Sequence, residues 1–125
     1  MKLAVVGSRE VDDAEFIEQK LDGYSAQRRI KAVVSGGSNG VDSIAEAWAK
    51  RHGIQMIILK PDYENYAPEI APLMRNNQIV ETCDLLLAFW GGKSKGTDYT
   101  VKEARKVNKL LAVYFKSPMF GRMDR

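Results

Sequence analysis

Two stretches of this chain carry glycine and hydroxyl residues in a pattern that can hold an anion. They are Ser35-Gly36-Gly37-Ser38-Asn39-Gly40-Val41-Asp42 and Trp90-Gly91-Gly92-Lys93-Ser94-Lys95-Gly96-Thr97, and each stands between an apolar run and a segment of helical spacing. A glycine lets backbone N–H groups approach a phosphate with no Cβ in the way. The first amides of a following helix point unpaired N–H groups and a positive dipole end at the same place. A third turn, Gly7-Ser8-Arg9, closes the first apolar run. Arg9, and Arg75 within the polar Arg75-Asn76-Asn77 cluster, are forked donors suited to clamping such a phosphate.

Several of these residues have a second reading that needs no ligand. With Asn39 as N-cap, Asp42 falls at the third helical position and completes a capping box; equally, its carboxylate can accept a hydrogen bond from a ribose hydroxyl or a base. Thr97 can cap the last helix as well as touch a ligand. Trp90, at the end of an apolar run, can stack on a base or close the core. Trp48 reads as core, and His52, beside Gly53 at a helix end, reads as a neighbour of terminal carbonyls and not as an acid–base group.

The elements that must position these residues are legible as short apolar runs. Leu3 to Val6, Ala32 to Val34, Ile54 to Leu59, Leu85 to Trp90 and Leu110 to Phe115 read as strands buried on both faces. Between them lie the stripes Phe16, Ile17, Leu21, then Val41, Ile44, Ala45, Trp48, then Leu73, Met74, Ile79, Val80 with Pro72 at the start, and last Val101, Ala104, Val107. Strands alternating with helices through right-handed crossovers predict a doubly wound, Rossmann-like α/β fold. It is a three-layer α/β/α sandwich with a parallel sheet of about five strands. If the first strand is central, the three turns meet at the carboxyl ends of the strands, where ligands of such sheets bind.

A chain of 125 residues fits a single domain, here residues 1–115, followed by a tail, 116–125, without periodic pattern. With 45% hydrophobic and 28% charged residues it is an ordinary globular composition, which excludes a disordered or fibrous protein. The net charge of +3 leans toward anionic partners, yet the basic residues are scattered, so nucleic acid is the less favoured partner. Cys83 is the only cysteine and has no metal-site spacing; no metal is expected, and a lone thiol suits a reducing compartment. The strand pattern directly after Met1 leaves no room for a signal peptide, and no run approaches the ~20 apolar residues of a membrane span, so a cytoplasmic protein is expected.

Neither glycine loop matches a common nucleotide signature, since G-x-G-x-x-G is absent after the first strand and no P-loop motif occurs. The joint pattern of Gly7-Ser8-Arg9, Ser35 to Asp42, Arg75-Asn76, Asp84, Trp90-Gly91-Gly92 and Gly96-Thr97 instead resembles the SLOG superfamily, and within it the small YspA-like proteins. The resemblance covers Met1 to about Phe115. It implies a Rossmann-like domain binding a nucleotide or nucleotide-derived ligand, as a sensor or regulatory module, and allows a homo-oligomer. The expected contacts are Gly7, Ser8, Arg9, Ser35, Gly36, Gly37, Asn39, Gly40, Asp42, Arg75, Asn76, Trp90, Gly91, Gly92, Ser94, Gly96 and Thr97, with Tyr63 a further flank for the base.

Two other activities occur in that superfamily. LOG-like members are phosphoribohydrolases that cleave the N-glycosidic bond of nucleoside monophosphates with the glutamate of a P-G-G-x-G-T-x-x-E motif. Here Trp90 replaces the proline, three residues separate Gly92 from Gly96, and Thr100 stands at the glutamate position. Asp42, Asp98 and Glu103 are the carboxylates left to substitute. DprA-like members bind single-stranded DNA, for which Tyr63, Tyr66 and Tyr99 would be the stacking surfaces.

Overall fold

The computed structural model describes residues 1–115, so the tail 116–125 lies outside the described residues. Five strands and four helices alternate: β1 (Lys2–Gly7), α1 (Ala14–Gln27), β2 (Ala32–Ser35), α2 (Val41–Arg51), β3 (Gln55–Ile58), α3 (Ala71–Thr82), β4 (Leu85–Trp90), α4 (Lys95–Lys106) and β5 (Leu110–Phe115). All pairs are parallel and the strand order is β3-β2-β1-β4-β5, with β1 at the centre. The expected doubly wound sheet is therefore the observed one.

Period-two alternation along the central strands feeds two cores. Leu3 and Val5 of β1 face α1 and α2, packing with Ile17, Leu21, Val41, Trp48, Leu87 and Phe89. Ala4 and Val6 face the other way, toward Ile79, Val80, Leu86, Val101 and Ala104 on the α3 and α4 side. The direction change between β3 and β4 puts the loops after β1, β2 and β4 at one end of the sheet.

Some expected elements need correction. The run Ile54 to Leu59 forms strand only over Gln55–Ile58, and its side chains are half exposed; β3 is an edge strand, so it is not buried on both faces. Val107 is the C-cap of α4 and 54% exposed, because the chain leaves the helix through Asn108 at φ 58. The N-cap of α2 is Gly40, at φ 74, and not Asn39, so Asp42 is the second helical residue and no capping box forms. For α4 the N-cap is Ser94, whose Oγ accepts from the Thr97 N–H; Thr97 is capped and does not cap.

Candidate functional site

Direct contacts hold the tips of β1, β2 and β4 together. The Ser8 N–H donates to the Phe89 carbonyl at 3.1 Å, and the buried Ser8 Oγ accepts from the Gly91 N–H at 3.2 Å. A Cβ on Gly40 would lie 2.5 Å from the Arg9 carbonyl oxygen, and one on Gly7 would lie 2.4 Å from that of Phe89. Glycine at both places is what allows the three turns to touch. Between them opens a cleft of about 260 Å³, lined by Val6, Gly7, Arg9 and Glu10 from β1 and the turn after it and by Gly36, Ser38 and Asp42 from the β2 loop and α2. Arg75, Asn76 and Ile79 of α3, with Ser94, Gly96, Thr97 and Thr100 at the start of α4, complete it.

Arg75 lies across the mouth of this cleft. Its Nη1 donates to the Gly36 carbonyl at 3.0 Å and its Nε to Asn76 Oδ1 at 2.8 Å. A Cβ on Gly36 would meet Nη1 at 2.5 Å, so the guanidinium occupies the space a side chain at position 36 would need. Beyond Arg75 lies a second hollow of about 390 Å³, bounded by Gly37, Ser38, Asn39, Lys60, Pro61, Tyr63 and Pro72, and sharing Arg9, Gly36 and Arg75 with the first.

Asp42 is the buried carboxylate of the inner cleft. Its Oδ2 accepts from the Ser38 N–H at 3.1 Å. Burial pushes its carboxyl above the ordinary range, with the Ser38 amide and the Arg75 guanidinium acting in the opposite direction. Burial likewise lowers the Arg75 pKa, and the charge of Asp42 offsets part of that. A partly desolvated arginine beside a partly desolvated carboxylate can bind an anion and a hydroxyl side by side.

Of the residues expected to touch a ligand, Gly7, Arg9, Gly36, Asp42, Arg75, Asn76, Ser94, Gly96 and Thr97 line the inner cleft, and Gly37 and Asn39 line the outer hollow. Others serve the frame. Ser8 joins two strand tips, Gly40 packs on Arg9, and the buried Ser35 Oγ accepts from the Gly37 N–H at 3.1 Å. Trp90, Gly91 and Gly92 line neither hollow; the Trp90 ring packs on Phe115 with centroids 5.3 Å apart, because β5 pairs alongside β4 there.

Asp98 and Glu103 also lie outside the cleft, paired with Lys102 at 3.0 Å and Lys106 at 2.9 Å. Val6, Glu10, Ser38, Ile79 and Thr100 line the cleft without having been singled out as contacts. Thr100 was findable, since three residues after Thr97 it shares a helix face with it; its Oγ1 donates to the Gly96 carbonyl at 2.8 Å. His52 closes α2, with Nδ1 2.9 Å from the Trp48 carbonyl oxygen, far from the strand tips in the fold. Among the described residues no three of His, Cys, Asp and Glu cluster for a metal, and no helix is long and apolar enough to cross a membrane.

Comparison with known proteins gives three kinds of likeness. The model of the YspA, cpYpsA-related SLOG family matches residues 1–66, just over half of the chain. Gene 61 protein of Mycobacterium phage D29 is 35% identical over 80 residues, covering 59% of this chain and 63% of that protein. DNA processing protein A from Streptococcus pneumoniae superposes with a TM-score of 0.72 at 20% identity, over 92% of this chain and 50% of that one. Its counterpart from Helicobacter pylori, described for its single-stranded DNA binding mode, gives 0.68 at 22% identity, over 93% and 66%. The chain thus spans between half and two thirds of the length of these relatives, and at such identities the superpositions show a shared fold.

Proposed function

The chain belongs to the YspA, cpYpsA-related SLOG family, and on that premise we propose that it is a binding module for a nucleotide or nucleotide-derived ligand, acting as a sensor or regulatory domain. One observation carries this reading. A single cleft gathers two arginines, a buried carboxylate, an amide side chain and the N-terminal turns of α2 and α4 at the tips of three neighbouring strands. Arginines and helix N-termini answer a phosphate, while Asp42 and Asn76 answer the hydroxyls and heteroatoms of a nucleoside.

Calorimetric titration of the protein with AMP, cyclic nucleotides, NAD and ADP-ribose tests it. Submillimolar binding of at least one, weakened by Arg75→Ala, is expected; a folded protein that binds none of them overturns the reading. Oligonucleotides belong in the same series. Oligonucleotide binding that falls steeply with salt, without mononucleotide binding, would move the reading to single-stranded DNA.

The position of Asp42 favours a second reading, N-glycosidic cleavage of a nucleoside monophosphate. Of the three carboxylates available to replace the missing glutamate, only Asp42 lines the cleft. Burial raises the Asp42 pKa, which favours the protonated form that can donate to a leaving base; once ionised, the same carboxylate can stabilise positive charge on the sugar. Release of free base from nucleoside monophosphates, lost in Asp42→Asn, would establish it.

A further inference from the structure

Hydrogen bonds made within the inner cleft fix which atoms are left for a ligand. Asp42 is 7% exposed, and its Oδ2 is taken by the Ser38 N–H. Among the described residues no hydrogen bond or ion pair engages its other oxygen, Oδ1. Asn76, 9% exposed, is the opposite case. Its Oδ1 accepts from Arg75 Nε at 2.8 Å, so its remaining end is the donor Nδ2, which meets only the Gly96 carbonyl at 3.5 Å. Arg75 uses Nε and Nη1 and keeps Nη2. One buried acceptor and two donors therefore stay open. Hydroxyl groups need both, because each donates and accepts; a phosphate oxygen can use the donors but not the carboxylate.

The same contacts set the order of these groups. Arg75 bonds the Gly36 carbonyl of the β2 loop and then Asn76, and Asn76 reaches Gly96 in the first turn of α4. Asp42 stands on the α2 side of this series and the α4 turn on the other. A phosphate at the α4 turn meets a helix N-terminus and the donors of Asn76 and Arg75, with Asp42 left for the sugar. The other carboxylate lining the cleft, Glu10, is exposed, where a hydrogen bond exchanged with water contributes little.

Resting on the nucleotide reading above, we propose that this cleft selects the sugar. Its ligand is a ribonucleotide whose hydroxyls donate to Asp42 Oδ1 and accept from Asn76 and Arg75, with the phosphate at the first turn of α4. DNA is disfavoured at this position, since its sugars lack the 2′-hydroxyl and its internal 3′-oxygens are esterified.

Calorimetry on the wild-type chain compares AMP, GMP, CMP and UMP with their 2′-deoxy and 3′-deoxy forms. A hydroxyl that reaches Asp42 bonds a buried charge, so removing it should weaken binding about tenfold or more. Asp42→Asn keeps an oxygen for Ser38 but turns Oδ1 into an amino group, which leaves the hydroxyl proton without an acceptor. In that variant the ribo-to-deoxy ratio should fall to within about twofold of one, with the affinity of the deoxy form not lowered; a frame role for Asp42 would weaken both forms alike. Equal affinities for the ribo form and both deoxy forms, or a ratio that Asp42→Asn leaves intact, would overturn the sugar assignment and leave the nucleotide site standing. Should none of these compounds bind, the sugar assignment falls; should NAD and ADP-ribose fail as well, the nucleotide reading falls with it.

Discussion

Burial disfavours the ionised form of Asp42, and the Ser38 amide and Arg75 offset only part of that, so its folded-state pKa lies above the unfolded one. The native state then holds more protons than the unfolded state between the two values. The stabilisation from this residue is complete below the unfolded pKa and is lost as pH rises through the folded pKa. Asp42→Asn keeps an oxygen able to accept from Ser38, so thermal melts at neutral pH should show an unchanged or higher Tm. Nucleotide affinity should fall about tenfold with the lost charged acceptor. A lower Tm with unaltered affinity would make Asp42 a frame residue. Gly36→Ala separates the roles of Arg75 in a similar way: the new methyl meets the end of a flexible side chain at 2.5 Å, so the guanidinium swings off the Gly36 carbonyl. Stability should drop by about 1 kcal/mol in urea titration, the worth of that hydrogen bond, while ligand affinity falls sharply. At this scale the sequence exposed residue type better than residue role. Ser8, Ser35 and Gly40 have the composition of ligand contacts but serve as ties and spacers, because their partners come from other loops and leave no trace in local spacing.

The elements were more legible than their ends. β4 and β5 coincide with their apolar runs: the polar Asp84 precedes the first and the glycine turn at Gly91 follows it, while Lys109 precedes the second. The start of α2 was not readable: Ser35-Gly36-Gly37-Ser38-Asn39-Gly40 offers several cap residues, and the choice of Gly40 is set by the Arg9 backbone pressing on the loop. That contact predicts a contrast between two glycines of positive φ. Gly40→Ala combines a left-handed backbone with a Cβ 2.5 Å from the Arg9 carbonyl oxygen, whereas Gly53, at φ 65, has nothing within 4 Å of its missing Cβ. Gly53→Ala should lose about 1 kcal/mol from backbone strain alone, and Gly40→Ala about 2–4 kcal/mol from strain plus collision. Chemical denaturation of the two variants measures the difference. Equal losses would mean that the β1 and β2 loops do not depend on each other, and the cleft would lose the contact that shapes one of its walls.

In the whole molecule, the order β3-β2-β1-β4-β5 puts β1 at the centre and both glycine loops beside it, one on each flank. A ligand held at those tips must link the two halves of the sheet, since Arg9 follows β1, Asp42 begins α2, Arg75 belongs to α3 and Thr97 to α4. Binding should therefore be read across distant parts of the sequence at once. At a hundredfold excess over Kd, a ligand that binds only the native state adds roughly 2.7 kcal/mol to global stability. Beyond that uniform gain, hydrogen exchange should slow most at residues 7–10, 36–42, 75–76 and 94–100, the segments whose local opening breaks the cleft. A separate hollow of about 620 Å³ between Phe16, Lys20, Tyr24 and Tyr114 supplies the internal control. It is formed by α1 and β5 and includes the 2.7 Å Tyr24–Tyr114 hydroxyl contact; burial, and then that hydrogen bond, push the Tyr114 phenol up to about 12. Extra protection confined to α1 and β5 would assign the ligand to that groove; extra protection shared by all four segments at the strand tips would require one ligand touching them together, because no single loop reaches the other three.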